Sequence, residues 1–593
     1  MIGIYAAVVA VCGASLAIGQ AAVGICGARR WSWLSPAVGL ALLCAVCWGT
    51  VRIGGDDAVS AVVVLALFAA SAVYLWGRLE GGAEALRAGW PVALFALLAA
   101  SLPFAVAGHF GILGTSFNPD MSQHLLAADR LAHGHGGQLL HQGYPLGPHS
   151  VVVALNKGLG IGLVQGFSGL TVAVAVLAPL TALAAFANLR VIPRTAGALV
   201  VGLVYVVASY FAQGAFKETI QALLVLAFAL ALRESTRAWR DLPLRFVPAA
   251  LLAVGSVYVY SFPGLIWLIG TFVIWAAIEV IVSRNGSSDL GPSPVRAAFL
   301  ALLTFLVLVA PEIGRMIDFH SFETFDPNGP GLGNLFGQVS PFEALGIWPS
   351  GDFRLAPGDG AVPAVGYYLG AAFAFGLLLY GVARCWRRRE SAVLAGLGAV
   401  ALAYVAARVD GTPYTAAKAI EIASPLVALT ILLPLGWRTS RPLATGPASG
   451  RLAFALFVLA AGVCSLLALA NAPIGPTSYS PALTGLRPLI ASGSTLVLAP
   501  EELLADQHGA PFISWELRGG RVCIESEGEA GAAPPPGVRF VVTRGAPAQP
   551  PFPALRVRRV VAPYVLWESI RPVRGHSPCP LIAERQARQD STR

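Results

Sequence analysis

The sequence predicts an α-helical polytopic membrane protein of about fourteen transmembrane helices, followed by a small C-terminal extracytoplasmic α/β domain. Three observations lead there. Of 593 residues, 56% are hydrophobic and only 12% charged, against about 25% charged for a soluble domain. The apolar residues gather in runs of about twenty, the length a helix needs to cross some 30 Å of hydrocarbon. Arginine is concentrated in every second loop between those runs, as expected when positive charge is retained on the inner side. Neither a large buried-core enzyme nor a fibrous repeat produces charge-free runs of that length. The excess of 40 Lys+Arg over 31 Asp+Glu does not point to nucleic acid, because most of the arginines sit in the short loops.

Taken in order, the candidate spans lie at about 2–26, 33–51, 58–77, 90–108, 166–189, 195–213, 218–233, 246–261, 263–282, 297–313, 363–383, 391–408, 415–436 and 452–471. No basic residue precedes the first run and Arg29–Arg30 follow it, which argues against a cleaved signal peptide and for an N-terminus outside. Alternating the sides from there places Arg78, Arg87, Arg190, Arg194, Arg233 and Arg237 inside, with Arg240, Arg245, Arg284, Arg296, the Arg384–Arg389 cluster, Arg438, Arg441 and Arg451. Arg52, Lys217 and Arg408 fall outside. The expected organisation is a membrane domain over 1–472, with outer loops at about 109–165 and 314–362, and an extracytoplasmic domain over 473–593. In the tail, strands are expected at Thr495–Leu498, Phe512–Leu517, Arg521–Glu525, Val538–Thr543 and Leu555–Val561. Helical patterns cover Ala482–Ala491 and a short stretch opened by Glu501 and Glu502, whose carboxylates suit a helix N-terminus. Cys523 and Cys579 are the two cysteines of that tail, and an oxidising compartment would let them pair; the alternative is two separate thiols. The remaining cysteines lie in or near apolar spans, or, for Cys385, on the inside.

The first outer loop is the richest in chemistry. It holds His109, His124, His133, His135, His141 and His149, six of the nine histidines. Asp120 and His124 stand at i, i+4 and share one face if Pro119 opens a helix. A carboxylate beside an imidazole can take a proton from a hydroxyl, or the two can ligate a divalent cation such as Mg²⁺ or Mn²⁺. The competing readings are a helix cap for Asp120 and solvated histidines; the spacing matches no zinc signature. Lys217 and Glu218 open one span, Arg408 and Asp410 close another, and Lys418 and Glu421 follow in the next. Adjacent pairs could neutralise each other, or the cations could hold a lipid-linked phosphate. The second outer loop offers Glu312, Arg315, Asp318, His320, Glu323 and Asp326, then Trp348, Asp352, Phe353 and Arg354. Its aromatics could anchor at the membrane surface or stack on a sugar. Gly158–Gly162 does not follow a strand, which excludes a dinucleotide fingerprint.

A large first outer loop with an acidic residue soon after the preceding span, on a many-helix protein with an outer C-terminal domain, resembles the GT-C superfamily of glycosyltransferases. The resemblance rests on Asn118-Pro119-Asp120-Met121-Ser122-Gln123-His124, Tyr144-Pro145-Leu146-Gly147-Pro148-His149 and Pro413-Tyr414-Thr415-Ala416-Ala417-Lys418. These look like stretches of uncharacterised actinobacterial multipass members, over roughly residues 90–440. Many members carry paired acids where this chain has Asp120 alone. What the resemblance implies is a GT-C-like fold and transfer of a hexose or pentose from a polyprenyl-phosphate donor to an envelope glycan, lipid or protein at a bacterial plasma membrane. Asp120 and His124 would be catalytic, and Lys217, Arg354, Arg408 and Lys418 would bind the donor phosphate. Tyr144, His149, Glu218, Trp348 and Asp352 would meet the acceptor or sugar. A flippase of lipid-linked saccharides would instead need a polar path at the bilayer midplane and often repeated halves. Here the charges sit at span ends and no repeat is visible. A non-catalytic assembly scaffold working through the tail is the third reading.

Overall fold

The computed structural model describes residues 1–51, 53, 58–114, 120–133, 138–284, 294–320, 331–439, 448–475, 480–505, 509–528, 533–545, 549–571 and 579. Arg52, Asn118, Pro119, His135, Glu323, Asp326 and Arg441, singled out above, lie outside the described residues.

In hydrocarbon every backbone N–H and C=O must be satisfied within the chain, so the apolar runs become helices. The first four are α1 (Ile2–Ile25), α2 (Ser35–Val51), α3 (Ala58–Leu75) and α4 (Gly82–Ala107). The segment after α4 forms a short strand β1 (Ile112–Leu113), then α5 (Met121–Ala132), α6 (Gln138–His141) and α7 (Gly147–Leu159). There follow α8 (Leu163–Phe186), α9 (Val191–Gly202), α10 (Tyr205–Ala212), α11 (Phe216–Thr236), α12 (Val247–Tyr260), α13 (Leu265–Arg284), α14 (Pro294–Val309) and α15 (Ile313–Phe319). The membrane part ends with α16 (Ala364–Arg387), α17 (Ser391–Asp410), α18 (Pro413–Thr439) and α19 (Ala448–Ala470).

All the expected spans have a helical counterpart. Among the described residues ten helices are long and apolar enough to cross a membrane, eleven if α9 and α10, bent by 55° at their junction, form one span. The apolar helices α2 and α12 are shorter, and α11 carries ionisable residues at both ends. The chain is a multi-pass membrane protein. The apolar stretch of α18 is wholly buried and that of α8 89% buried, against 11% for α3, so α8 and α18 sit inside the bundle with α11, and α3 on its rim. Small residues let α1 and α2 approach closely: a Cβ on Gly19 would strike the Ser35 carbonyl, and one on Gly39 the Ser15 carbonyl. The start of α1 lies on the same face as the segment after α4, since Tyr5 packs edge-on against Phe110 at 6.0 Å.

After α19 the chain pairs β2 (Ile474–Gly475) antiparallel with β1, and then builds a five-stranded sheet. Its elements are α20 (Pro481–Thr484), α21 (Arg487–Ile490), β3 (Ser494–Ala499), α22 (Glu501–Ala505), α23 (Gly509–Glu516), β4 (Arg521–Ser526), β5 (Val538–Arg544), β6 (Leu555–Val561) and β7 (Tyr564–Ser569). The order is β4-β3-β5-β7-β6, with β3 parallel to both neighbours and the β5–β7 and β7–β6 pairs antiparallel. The strand expected at Phe512–Leu517 is instead α23. Parallel β3 and β4 cannot be joined by a tight turn, and α22 with α23 supply the crossover. β7 was not among the expected strands; it completes a hairpin with β6.

Cys523 on β4 is bonded to Cys579, their Cα atoms 5.0 Å apart, and the six other cysteines are free. The bond closes a loop across 56 positions. Chain-entropy reasoning puts its contribution at about 4 kcal/mol, an upper value given the usual range of ~2–4. Replacing both cysteines by Ser should therefore lower the melting temperature of the C-terminal sheet, and reductant should reproduce the shift in the unmodified chain. An unchanged melt would show that the bond contributes nothing.

Candidate active site

Asp120 occupies the position just before α5, and the C-terminal region packs on both β1 and α5. On one side β1 pairs with β2, and the Gly114 N–H donates to the Pro473 carbonyl at 2.8 Å. On the other, α23 packs on α5, and Arg518 reaches Asp129 at 3.6 Å while stacking on Trp515. The apolar face of α5, with Leu125, Leu126 and Ala128, is buried, which turns His124 inward. One helical turn from Asp120, His124 places Nε2 3.2 Å from Asp120 Oδ2. Its Nδ1 lies 3.1 Å from Nε2 of His149, on the buried face of α7.

Hydrogen-bond accounting assigns the protons. Nδ1 of His149 is buried with no partner among the described residues. A lone acceptor there costs less than a stranded N–H donor, so the hydrogen belongs on His149 Nε2. His149 then donates to His124 Nδ1, and His124 Nε2–H donates to Asp120. The result is a chain that orients the carboxylate while leaving it partly open, its side chain 31% exposed. Phe216 and Phe167 wall the pair of imidazoles. Burial, then the neighbouring His124, hold the His149 imidazole well below its ordinary range, with Asp120 opposing them weakly. A histidine refused its proton by the fold contributes stability that is complete above about pH 6.5 and lost as pH falls below it, by roughly 1.4 kcal/mol per pH unit. Thermal melts between pH 6.5 and 5 should show this slope. His149→Gln, which cannot titrate, should flatten it; an equally steep slope in that variant would refute the assignment.

The cations arrive from two other helices. Lys217, in the first turn of α11, donates to the Tyr144 hydroxyl and lies 3.9 Å over its ring. Lys418, in the second turn of α18, pairs with Glu218 at 2.9 Å and lies 4.4 Å from the Tyr414 ring centre. Adjacent helix positions point apart, so Glu218 turns from Lys217 to Lys418, and Lys418 takes Glu218 rather than Glu421 three positions along its own helix. Glu421, fully buried one turn along α18, has no hydrogen-bond partner on either carboxylate oxygen among the described residues. Lys217 stands within electrostatic reach of Glu218, Lys418 and Asp120 together, and Tyr414 within reach of Lys418, Glu218 and Asp120. Asp120, His124, Tyr144, His149, Lys217, Glu218 and Lys418 thus form one group.

Arg315 on α15 was not among the expected site residues, yet it holds this group in shape. Its guanidinium binds the Leu140 and Tyr144 carbonyls at 2.7 and 2.6 Å and pairs with Glu312, which also accepts from the Trp48 indole. No local pattern signals such a role, because its acceptors are main-chain groups of a distant segment. Gly143 makes the approach possible, with φ +69° and a Cβ position already occupied by the Arg315 carbonyl and the Phe319 amide. Gly143→Ala should displace the Tyr144 turn and destabilise the chain by at least ~2 kcal/mol through backbone clash and left-handed strain. A melt within error of the parent would contradict this packing.

Other expected site residues face elsewhere. Trp348 is fully buried against Tyr367, ring centres 5.0 Å apart, and offers no face to a sugar. His149, equally buried, cannot touch an acceptor. Asp352 and Arg354 pair with each other at 2.8–3.2 Å, and Arg354 stacks on Phe336. Phe353 between them packs on Tyr210, which lies near Lys418 and Glu218. Arg408 at the end of α17 donates to Gln338. Among the described residues no three His, Cys, Asp or Glu side chains are grouped to hold a metal ion.

No protein-family model matches the chain, and no curated protein does. Solved structures do. A mycobacterial arabinofuranosyltransferase, AftD, aligns over 82% of this chain at 14% identity with a TM-score of 0.50. The chain spans 40% of that protein's length. ArnT from Cupriavidus metallidurans, in its undecaprenyl-phosphate-bound form, aligns over 82% of this chain and 99% of its own at 14% identity and TM-score 0.46. Its apo form aligns over the same shares at 15% and 0.45. The AftD likeness shows that the chain shares a membrane fold with part of that protein.

Proposed function

We propose that the protein is an inverting membrane glycosyltransferase that moves a sugar from a polyprenyl-phosphate donor to an extracytoplasmic acceptor, an envelope glycan, lipid or protein. The observation that carries this reading is one partly exposed carboxylate within electrostatic reach of Lys217, which is itself within reach of Lys418 on a separate helix. Asp120 accepts the proton of the acceptor hydroxyl as its oxygen bonds to the anomeric carbon. The bond from that carbon to the phosphate oxygen breaks on the opposite side, and polyprenyl phosphate leaves with the electron pair. Lys217 is the better placed cation for the departing phosphate, since it contacts a neutral phenol whereas Lys418 is already paired with Glu218. Tyr144 and Glu218 position these lysines.

With both ring nitrogens of His124 engaged by His149 and Asp120, the group offers too few oxygen donors for a cation held by the protein alone; a Mg²⁺ or Mn²⁺ ion would have to arrive on the donor phosphate. In this reading Asp120, the N-terminus and the C-terminal sheet face outward from a bacterial plasma membrane, consistent with the arginine distribution. The arabinofuranosyl activity named for AftD makes a pentose donor the first to try. Reconstituted protein given polyprenyl-phosphoryl pentose or hexose and an envelope glycan extract should release polyprenyl phosphate and extend the glycan, both read by mass spectrometry. Absence of both products with every donor would refute the proposal.

A further inference from the structure

We propose that a cavity at the other end of α11 binds a phosphate-bearing anion, either the headgroup of an acidic phospholipid or a free phosphate compound. This goes beyond the transferase reading and does not depend on it. α11 has 21 residues, so a group at its far end lies about 30 Å from Lys217. There the α1–α2 turn, the end of α8 and the end of α11 enclose a cavity of about 630 Å³. Arg29, Arg30, Arg233 and Arg237 line it, with Glu234 as the lining carboxylate.

The arginines differ in how they are held. Glu390, 2% exposed, grips Arg233 at 2.9 Å and Arg237 at 3.0 Å, and so fixes both guanidiniums at the wall. Arg233 also faces Glu234 at 3.6 Å, whereas Arg237 keeps further N–H donors that, with those of Arg29 and Arg30, suit the oxygens of a phosphate. With Glu390 counted beside Glu234, the four arginines still leave a positive cavity. Arg30 meets Glu80 only at 3.9 Å with both side chains mostly exposed, a contact worth little that a bound anion would displace. The walls are also aromatic: Trp31, Trp33 and Trp239 line the cavity, as befits the headgroup level of a membrane. Basic pockets between spanning helices are a recurrent form of lipid headgroup site.

The test uses the full chain in detergent, titrated calorimetrically with a short-chain phosphatidylglycerol, with the matching phosphatidylcholine, and with inorganic phosphate and pyrophosphate. Binding of phosphatidylglycerol alone assigns the site to a lipid headgroup; competition by phosphate or pyrophosphate assigns it to a free phosphate compound. In either case the variant carrying Arg29→Gln, Arg30→Gln and Arg237→Gln should bind at least tenfold more weakly. Arg29→Gln with Arg30→Gln, which removes only exposed side chains, should weaken binding measurably should the triple variant fail to fold. Asp120→Asn should bind undiminished. The proposal is overturned by any of three results: neither probe binds, phosphatidylcholine binds equally well, or the arginine variants bind like the parent.

Discussion

Asp120→Asn should lower transfer by about 10²–10⁴-fold, the usual contribution of a positioned general base. The substitution keeps the size of the side chain, and the amide oxygen still accepts the His124 Nε2–H that now binds Asp120 at 3.2 Å. The chain should therefore fold and melt normally, and the donor phosphate should still find Lys217. What disappears is the capacity to take the acceptor's proton, so the loss should fall on kcat and leave the donor KM within a few fold. His124→Gln should cost less, because it loosens the carboxylate without removing it. A flippase or scaffold would tolerate Asp120→Asn. If the Asn variant transferred within threefold of the parent, Asp120 would not be the base.

Lys418→Met is expected to have the largest effect on stability. It leaves Glu218, whose side chain is 7% exposed, without the ammonium that lies 2.9 Å away, and adds to the Glu421 carboxylate, which has no hydrogen-bond partner among the described residues. Breaking a buried pair from one side typically costs ~3–5 kcal/mol; Lys418 is itself a fifth exposed, which puts the expectation near 3 kcal/mol. Lys418→Met combined with Glu218→Gln removes both charges and should recover most of the melting temperature. The double variant should still transfer slowly, having lost one cation beside the reacting phosphate. A single variant that melted like the parent would show that the pair does not hold α11 to α18.

Several features were legible in one dimension because their physics is local. Asp120 and His124 meet because four positions along a helix bring side chains to the same face. Cys523 and Cys579 could be matched by compartment and elimination, and they are bonded. The trans-helix contacts were not legible. Nothing near Lys418 distinguishes Glu218 from Glu421 as its partner, yet the packing of α11 on α18 selects the former. Trp348 looked like a sugar platform in a polar loop and is a core residue, because its loop folds back over α16. Phe512–Leu517 has a strand-like composition and is helical, because the parallel strands around it require a crossover.

By itself the sequence determined that the chain crosses a membrane many times and where the helices lie, since hydrocarbon tolerates only apolar side chains on a self-satisfied backbone. Tertiary structure alone decided which charges share a site. The relay from His149 through His124 to Asp120, the seat of Lys217 on Tyr144 and the arginine-lined cavity each join segments far apart in the chain. Such meetings depend on how helices pack, and helix packing is a property of whole surfaces that no local spacing encodes.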